Sequence, residues 1–132
     1  MDVSIWAVIV AAAINMVVGY LWYSKALFAE AWSKAVGKKM EDMSGGGQGY
    51  ALTTVGALVQ AWILGLLVHW RGADSLWLGA KVGFLVWLGF VATTYATSYI
   101  FESRPKKLYY INVGYFLVVL VINGALLAIW PQ

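Results

Sequence analysis

The sequence predicts an all-α fold: an integral membrane four-helix bundle, with an amphipathic helix at the membrane interface between spans one and two. The chain of 132 residues is 62% hydrophobic and 11% charged, with a mean hydropathy of +0.75, whereas soluble domains carry about 25% charged residues. Four apolar runs are long enough to cross the hydrocarbon core, which takes about 20 helical residues. Most basic residues fall between these runs, which is typical of membrane topology signals rather than of nucleic-acid binding.

The four predicted spans are about residues 3–23, 50–70, 76–101 and 108–130, within a single domain of residues 1–132. Residues 71–75 contain Gly72 and predict a tight turn between the second and third spans. Residues 102–107 contain Pro105 and predict another turn between the third and fourth spans. Neighbouring spans are therefore expected to be antiparallel.

The basic residues also predict how the chain is oriented in a cell membrane. The loops after the first and third spans hold most of them: Lys25, Lys34, Lys38, Lys39, Arg104, Lys106 and Lys107. The opposite side offers only Arg71 and Lys81. Because Lys and Arg favour the cytoplasmic side, loops 24–49 and 102–107 are predicted to be cytoplasmic and both termini outside.

The long loop after the first span has the pattern of an amphipathic helix over about residues 25–43. Its apolar residues repeat at helical spacing: Leu27, Phe28, Ala31, Trp32, Ala35 and Val36. Lys34, Lys38 and Lys39 lie off this stripe, which predicts contact with anionic lipid at the bilayer surface. The glycine-rich residues 44–49 that follow predict a flexible hinge.

Small residues at four-residue spacing predict the packing faces of the spans. The stripe of the first span is Ala7, Ala11, Asn15 and Gly19. The stripe of the second span is Thr53, Ala57, Ala61 and Gly65. The third span opens with a GxxxG motif, Gly79 and Gly83, which serves packing within one chain or self-association between chains.

Several classes of site are disfavoured by composition. The chain has no cysteine and one histidine, so a thiolate or histidine-based metal site is not expected. No Ser-His-Asp set and no paired carboxylates stand out, which disfavours catalysis. We expect no cofactor, no metal, no nucleic-acid partner and no enzymatic activity.

Polar and tyrosine side chains concentrate in the predicted cytoplasmic half, and aromatic walls with a few fixed polar groups are typical of ligand pockets. We predict a tyrosine-lined pocket there. Its candidate residues are Asn15, Tyr20, Tyr95, Tyr99, Glu102, Arg104, Asn112 and Tyr115. Two structural alternatives stay open. The polar groups form interhelical hydrogen bonds, and Glu102 forms a salt bridge with its basic neighbours.

Two stretches of sequence resemble a known family. They are GYLWYS at 19–24, followed by Phe28 and Trp32, and FESRP at 101–105, followed by INVGY at 111–115. Together they resemble the domain of unknown function 1761 family, small four-span membrane proteins that are mainly bacterial. The resemblance implies a bacterial inner membrane protein, and it implies that the motif positions lie at the predicted cytoplasmic end.

Three functions are compatible with these features. The first is transport or small-ligand binding through the pocket, as a homo-oligomer, because four short spans rarely enclose a pathway alone. The second is non-catalytic binding of a lipid or a membrane partner, indicated by the basic amphipathic segment. The third and least supported is a membrane-embedded enzyme with Glu102 as its acid or base.

Overall fold

The computed structural model describes residues 3–24, 27–36 and 46–131, which are helical with short connections and no strand. The helices are α1 (Ile5–Trp22), α2 (Ala29–Val36), α3 (Gly46–Arg71), α4 (Leu76–Val86), a π-helical segment (Trp87–Ala92), α5 (Thr93–Phe101) and α6 (Lys106–Ile129). Four stretches are long and apolar enough to cross a membrane: Ile5–Trp22, Gln48–Arg71, Leu76–Phe101 and Lys106–Ile129. The predicted all-α bundle with four spans is confirmed.

Local signals explain where the helices begin and end. Ser4 caps α1 by accepting a hydrogen bond from the Ala7 N–H at 3.4 Å, and Ser75 caps α4 in the same way from Leu78 at 3.2 Å. Gly72 ends α3 in a left-handed conformation, with φ of 72°, which glycine adopts without strain. The second and third spans are therefore joined by a tight turn, as predicted.

The glycine-rich segment differs from its prediction. α3 begins at Gly46, so residues 46–49 form its first turn and not a hinge. Residues 44 and 45 lie outside the described residues. Intrinsic propensity disfavours glycine in a helix by about 1 kcal/mol per residue, and here the continuous apolar helix that follows overrides it.

The third span is a single rod with an irregular middle. The π-helical segment lies between α4 and α5, and α6 holds both of its ends. The Trp87 indole N–H donates to the Val113 carbonyl at 2.8 Å, and the Tyr109 hydroxyl donates to the Ala92 carbonyl at 2.8 Å. Nothing in the sequence predicted this segment. π-Helical turns within α-helices are frequently found at functional sites.

The small-residue stripes pack α1 against α3, although Thr53, at the start of the second stripe, is exposed. Ala7 and Ala11 of α1 are buried, and so are Ala57 and Ala61 of α3. The stripe continues at Gly65, where an added β-carbon would lie 2.7 Å from a Val3 methyl group. Helices in a membrane associate through such close packing, because lipid tails are as apolar as leucine.

The GxxxG motif packs within the chain. A β-carbon on Gly79 would overlap the Gly124 carbonyl of α6, and one on Gly83 would overlap the Leu120 carbonyl. The backbones of α4 and α6 therefore touch along this seam. Packing within one chain, which the sequence left open as one role of this motif, is therefore observed.

The amphipathic helix is described over Ala29–Val36, while the predicted residues 25, 26 and 37–43 lie outside the described residues. Phe28, just before α2, packs on Trp22 with ring centroids 4.8 Å apart, and Trp32 meets Tyr23 edge-on at 5.3 Å. Lys34 is exposed, whereas Lys38 and Lys39 lie outside the described residues. The aromatic side of α2 is thus docked on the end of the bundle.

Candidate functional site: a tyrosine–asparagine cluster

Asn15 and Tyr115 form the deeper of two hydrogen-bond networks in the predicted cytoplasmic half. Asn15 is 5% exposed and Tyr115 is 8% exposed, so both are buried in the bundle. The Tyr115 hydroxyl donates to the Asn15 side-chain oxygen and lies 3.0 Å from the Asn15 backbone carbonyl. The Asn15 amide in turn donates to the Gln60 side-chain oxygen at 3.0 Å. This network joins α6, α1 and α3.

Asn112 is the centre of the second network, closer to the membrane surface. The Tyr23 hydroxyl donates to the Asn112 side-chain oxygen at 2.6 Å, and the Asn112 amide donates to the Tyr99 hydroxyl at 2.8 Å. Burial raises the pKa of Tyr23, at the end of α1, above the ordinary tyrosine value, so its hydroxyl keeps its proton. This network joins α1, α6 and α5.

Aromatic rings connect the two networks. The rings of Tyr23 and Tyr115 lie 5.6 Å apart, and Phe116 lies 5.0 Å from Tyr115. Tyr95 stacks on Phe116 at 5.9 Å and meets Tyr99 edge-on at 6.1 Å. We call Asn15, Tyr23, Tyr99, Asn112 and Tyr115 the tyrosine–asparagine cluster.

Glycines make the close approaches of the cluster possible. A β-carbon on Gly19 would lie 3.2 Å from the Tyr115 hydroxyl, and one on Gly114 would lie 3.2 Å from the Trp22 ring. The Trp22 indole N–H donates to the Ile111 carbonyl at 2.9 Å. Gly19 and Gly114 therefore leave the space in which the hydrogen-bonding rings of Tyr115 and Trp22 pack.

Glu102 and Arg104 lie at the membrane-surface end of the cluster. The Ser98 hydroxyl donates to the Glu102 carboxylate, one helical turn away. The Arg104 guanidinium lies over the Tyr99 ring, 4.1 Å from its centroid, which is a cation–π arrangement. Tyr99 itself is 4% exposed, so Arg104 covers a buried ring. Among the described residues, the observed partner of Glu102 is thus Ser98.

The structure brings most of the predicted site residues together but leaves one out. Asn15, Tyr99, Asn112 and Tyr115 converge, and Tyr95 borders them through Phe116. Tyr20 is 78% exposed on the outer surface of the bundle and is not part of the cluster. The prediction placed Tyr20 by its depth in the membrane, but the residue lies on another face of α1.

Three contributors were not predicted as site residues. Tyr23 and Gln60 were not among the candidate residues, yet both bond directly to the predicted asparagines. Trp32 packs on Tyr23, and its buried indole N–H has no hydrogen-bond partner among residues 3–24, 27–36 and 46–131. The mid-span position of Gln60 could have identified it as a hydrogen-bonding partner, since amide side chains within a bilayer require partners.

The cluster offers neutral hydrogen-bonding groups and aromatic faces. Its phenols and amides can orient a polar molecule through hydrogen bonds, and its rings can pack against that molecule. The described residues contain no group of three or more His, Cys, Asp or Glu side chains that could hold a metal ion. The side chains bond to one another, so the cluster is packed rather than open.

The fold and this buried polar cluster define a multi-pass α-helical membrane protein. The family model described as "Protein of unknown function (DUF1761)" matches residues 6–128. The chain therefore belongs to this domain of unknown function 1761 family, as the sequence resemblance indicated. No curated protein and no solved structure gave a match to the chain.

Proposed function

We propose that the protein is a non-enzymatic membrane protein that binds a small polar molecule at the tyrosine–asparagine cluster and transports it. The observation that carries this proposal is the meeting of hydroxyl and amide groups from α1, α5 and α6 at one buried place. Polar groups inside a bilayer are rare and are frequently functional. A single interhelical bond would serve packing, whereas here two hydrogen-bond networks are linked by the contact between the Tyr23 and Tyr115 rings.

Binding requires the cluster to exchange its own hydrogen bonds for bonds to the ligand. Asn112 offers one oxygen and one amide, and both already have partners in Tyr23 and Tyr99. A small planar molecule with a donor and an acceptor would replace both bonds and stack against the phenol rings. We therefore expect the ligand to be a flat, hydrogen-bonding compound that is neutral or cationic.

Movement of α5 would open the cluster to the predicted cytoplasmic side. Tyr99 is the cluster residue on α5, and the π-helical segment joins α5 to α4. A shift of α5 would break the Asn112–Tyr99 bond without disturbing the glycine seam between α4 and α6. Transport would then require self-association, because four short spans do not enclose a second opening by themselves.

A binding screen and an efflux assay together test the proposal. The protein in lipid nanodiscs is screened for thermal stabilisation by nucleobases, aromatic amines and ethidium, and the best binder is followed across proteoliposomes. The Asn15→Leu, Asn112→Leu double variant should lose the response, while Asn123→Leu, a buried asparagine outside the cluster, should keep it. A double variant that binds and transports as the wild type does would overturn the proposal.

A second candidate function is non-catalytic binding of anionic lipid or a membrane partner by the α2 region. It is favoured by the exposed Lys34 on a helix whose aromatic side is docked on the bundle. Replacing Lys34, Lys38 and Lys39 with glutamine should abolish binding to anionic vesicles under this function. The same change should leave ligand stabilisation at the tyrosine–asparagine cluster intact.

A further inference from the structure

A groove runs between α3 and the third span on the surface that faces lipid. Its wider part has a volume of about 370 Å³ and is lined by Leu67, Arg71, Leu78, Lys81, Val82, Leu85, Val86 and Phe90. A narrower part of about 270 Å³ is lined by Gln60, Ile63, Leu64, Leu67, Val86, Val91 and Leu120. Leu67 and Val86 belong to both, so the two parts adjoin. We call the whole the α3–α4 groove.

The α3–α4 groove is about as long as one leaflet is thick. Gln60 and Arg71 mark its two ends along α3, and at a rise of 1.5 Å per residue they lie about 16 Å apart. The hydrocarbon core of a bilayer is about 30 Å thick, so one leaflet takes up about 15 Å. An acyl chain that enters at the Arg71 end would therefore extend to the bilayer midplane at Gln60.

Charge distinguishes the two ends of the groove. Arg71 and Lys81 are both exposed and both line the wide end, near the membrane surface. Asp74, in the connecting turn, does not line the groove. The remaining lining of the wide end is hydrocarbon and the Phe90 ring. An occupant with a negatively charged head and an apolar tail matches this arrangement of cations and apolar walls.

The third span forms one rim of the groove. The π-helical segment shapes this rim, because Phe90 is 76% exposed at its edge and Val91 lines the narrow part. The groove also opens directly to the bilayer, so a lipid reaches it by lateral diffusion alone.

We propose that the α3–α4 groove binds an anionic phospholipid of the leaflet in which α3 ends and α4 begins. Arg71 and Lys81 hold the phosphate-bearing headgroup, and one acyl chain lies along Leu67 and Val86 toward Gln60. This site is separate from the tyrosine–asparagine cluster and does not depend on the proposed transport function. It meets the cluster at one point, where Gln60 accepts the hydrogen bond of Asn15.

Native mass spectrometry of protein released from nanodiscs of mixed phosphatidylglycerol and phosphatidylcholine tests the proposal. The wild type should retain phosphatidylglycerol in preference to phosphatidylcholine. The R71Q, K81Q double variant should weaken that retention about fivefold or more, since each cation near the surface contributes attraction to an anionic headgroup. K106Q, K107Q removes two exposed charges at the opposite membrane surface and should change retention less than about twofold.

A groove-filling variant keeps the test valid if the charge variant fails to fold. Leu85 lines the groove and is exposed, so L85W places a ring in the wide part without opening the core. L85W should release both lipids. Equal retention of both lipids by the wild type, equal losses in the two charge variants, or displacement of the lipid by inorganic phosphate would overturn the proposal. The proposal would also be overturned if L85W retained its lipid but changed its oligomeric mass. The groove would then be the binding surface for a second copy of the chain.

Discussion

Replacing Gly83 with alanine tests the close backbone contact between α4 and α6. The new β-carbon would overlap the Leu120 carbonyl oxygen and lie 2.6 Å from the carbonyl carbon and 3.1 Å from the Val121 nitrogen. All three atoms belong to the α6 backbone, so no side-chain rotation can relieve the overlap. α4 must move away from α6, and the seam at Gly79 and Gly124 must open with it.

Gly56→Ala is a matched control for the loss of stability expected of Gly83→Ala. Overpacking of this kind lowers the free energy of unfolding by about 1–3 kcal/mol. Gly56 is also inside a helix, but a β-carbon there has nothing within 4 Å. Gly56→Ala should therefore gain up to about 1 kcal/mol from helix propensity alone. Both variants share this gain, so they should differ by the overpacking cost alone, about 1–3 kcal/mol, although they add the same methyl group.

Unfolding by sodium dodecyl sulfate in mixed micelles measures this difference, with helix content followed by circular dichroism and tertiary packing by tryptophan fluorescence. The midpoint of Gly83→Ala should fall and that of Gly56→Ala should stay or rise. Equal stabilities of the two variants, within about 0.5 kcal/mol, would refute the reasoning. The GxxxG motif would then not be packed against α6 in the membrane.

Four further predictions concern the polar residues and the orientation. Asn15→Leu should lower the free energy of unfolding by about 1–2 kcal/mol because two side-chain bonds are lost. Asn123→Leu should stay within about 1 kcal/mol of the wild type. It gives up one bond to a backbone carbonyl but removes a buried oxygen with no partner among the described residues. Tyr23→Phe should cost about 0.6 kcal/mol in the same assay. Because the sequence has no cysteine, Asp74→Cys and Ser103→Cys, both at exposed positions, can be labelled in intact cells with a membrane-impermeant maleimide, and only Asp74→Cys should react.

Each of these predictions has a contradicting result. A larger loss for Asn123→Leu than for Asn15→Leu would mean that the deeper network does not form in the membrane. An unchanged midpoint for Tyr23→Phe would show that Asn112 does not depend on this hydroxyl. Labelling of Ser103→Cys in intact cells, with Asp74→Cys protected, would invert the predicted orientation.

The sequence predicted the spans and their packing faces because both depend on simple periodicities. The length of an apolar run decides whether a helix crosses the bilayer, and four-residue spacing of small residues decides where helices touch. Ala11 and Ala61 were on the predicted stripes and are buried against each other's helices. The buried position of Asn15 followed from the same stripe.

The internal arrangement of the candidate site could not be predicted in the same way. Depth alone placed Tyr20 beside Asn15, but five residues along an α-helix turn the side chain by about 140°, onto another face. The sequence also gave no indication that Asn15 and Asn112 would find partners in Gln60 and Tyr23. Whether convergent polar groups leave a cavity or bond to one another depends on side-chain distances, which no periodicity encodes.

The π-helical segment sets the angular phase of the third span. Gly83 and Tyr99 are sixteen positions apart in the sequence, and in an uninterrupted α-helix they would point about 160° apart. Both nevertheless meet α6, Gly83 at Leu120 and Tyr99 at Asn112. A widened turn that absorbs one residue reduces the angle to about 60°. Deleting the exposed Gly89 should therefore leave a regular helix with both faces still on α6. A one-residue change of length, which would rotate half of any other span out of alignment, becomes a local adjustment of the backbone here.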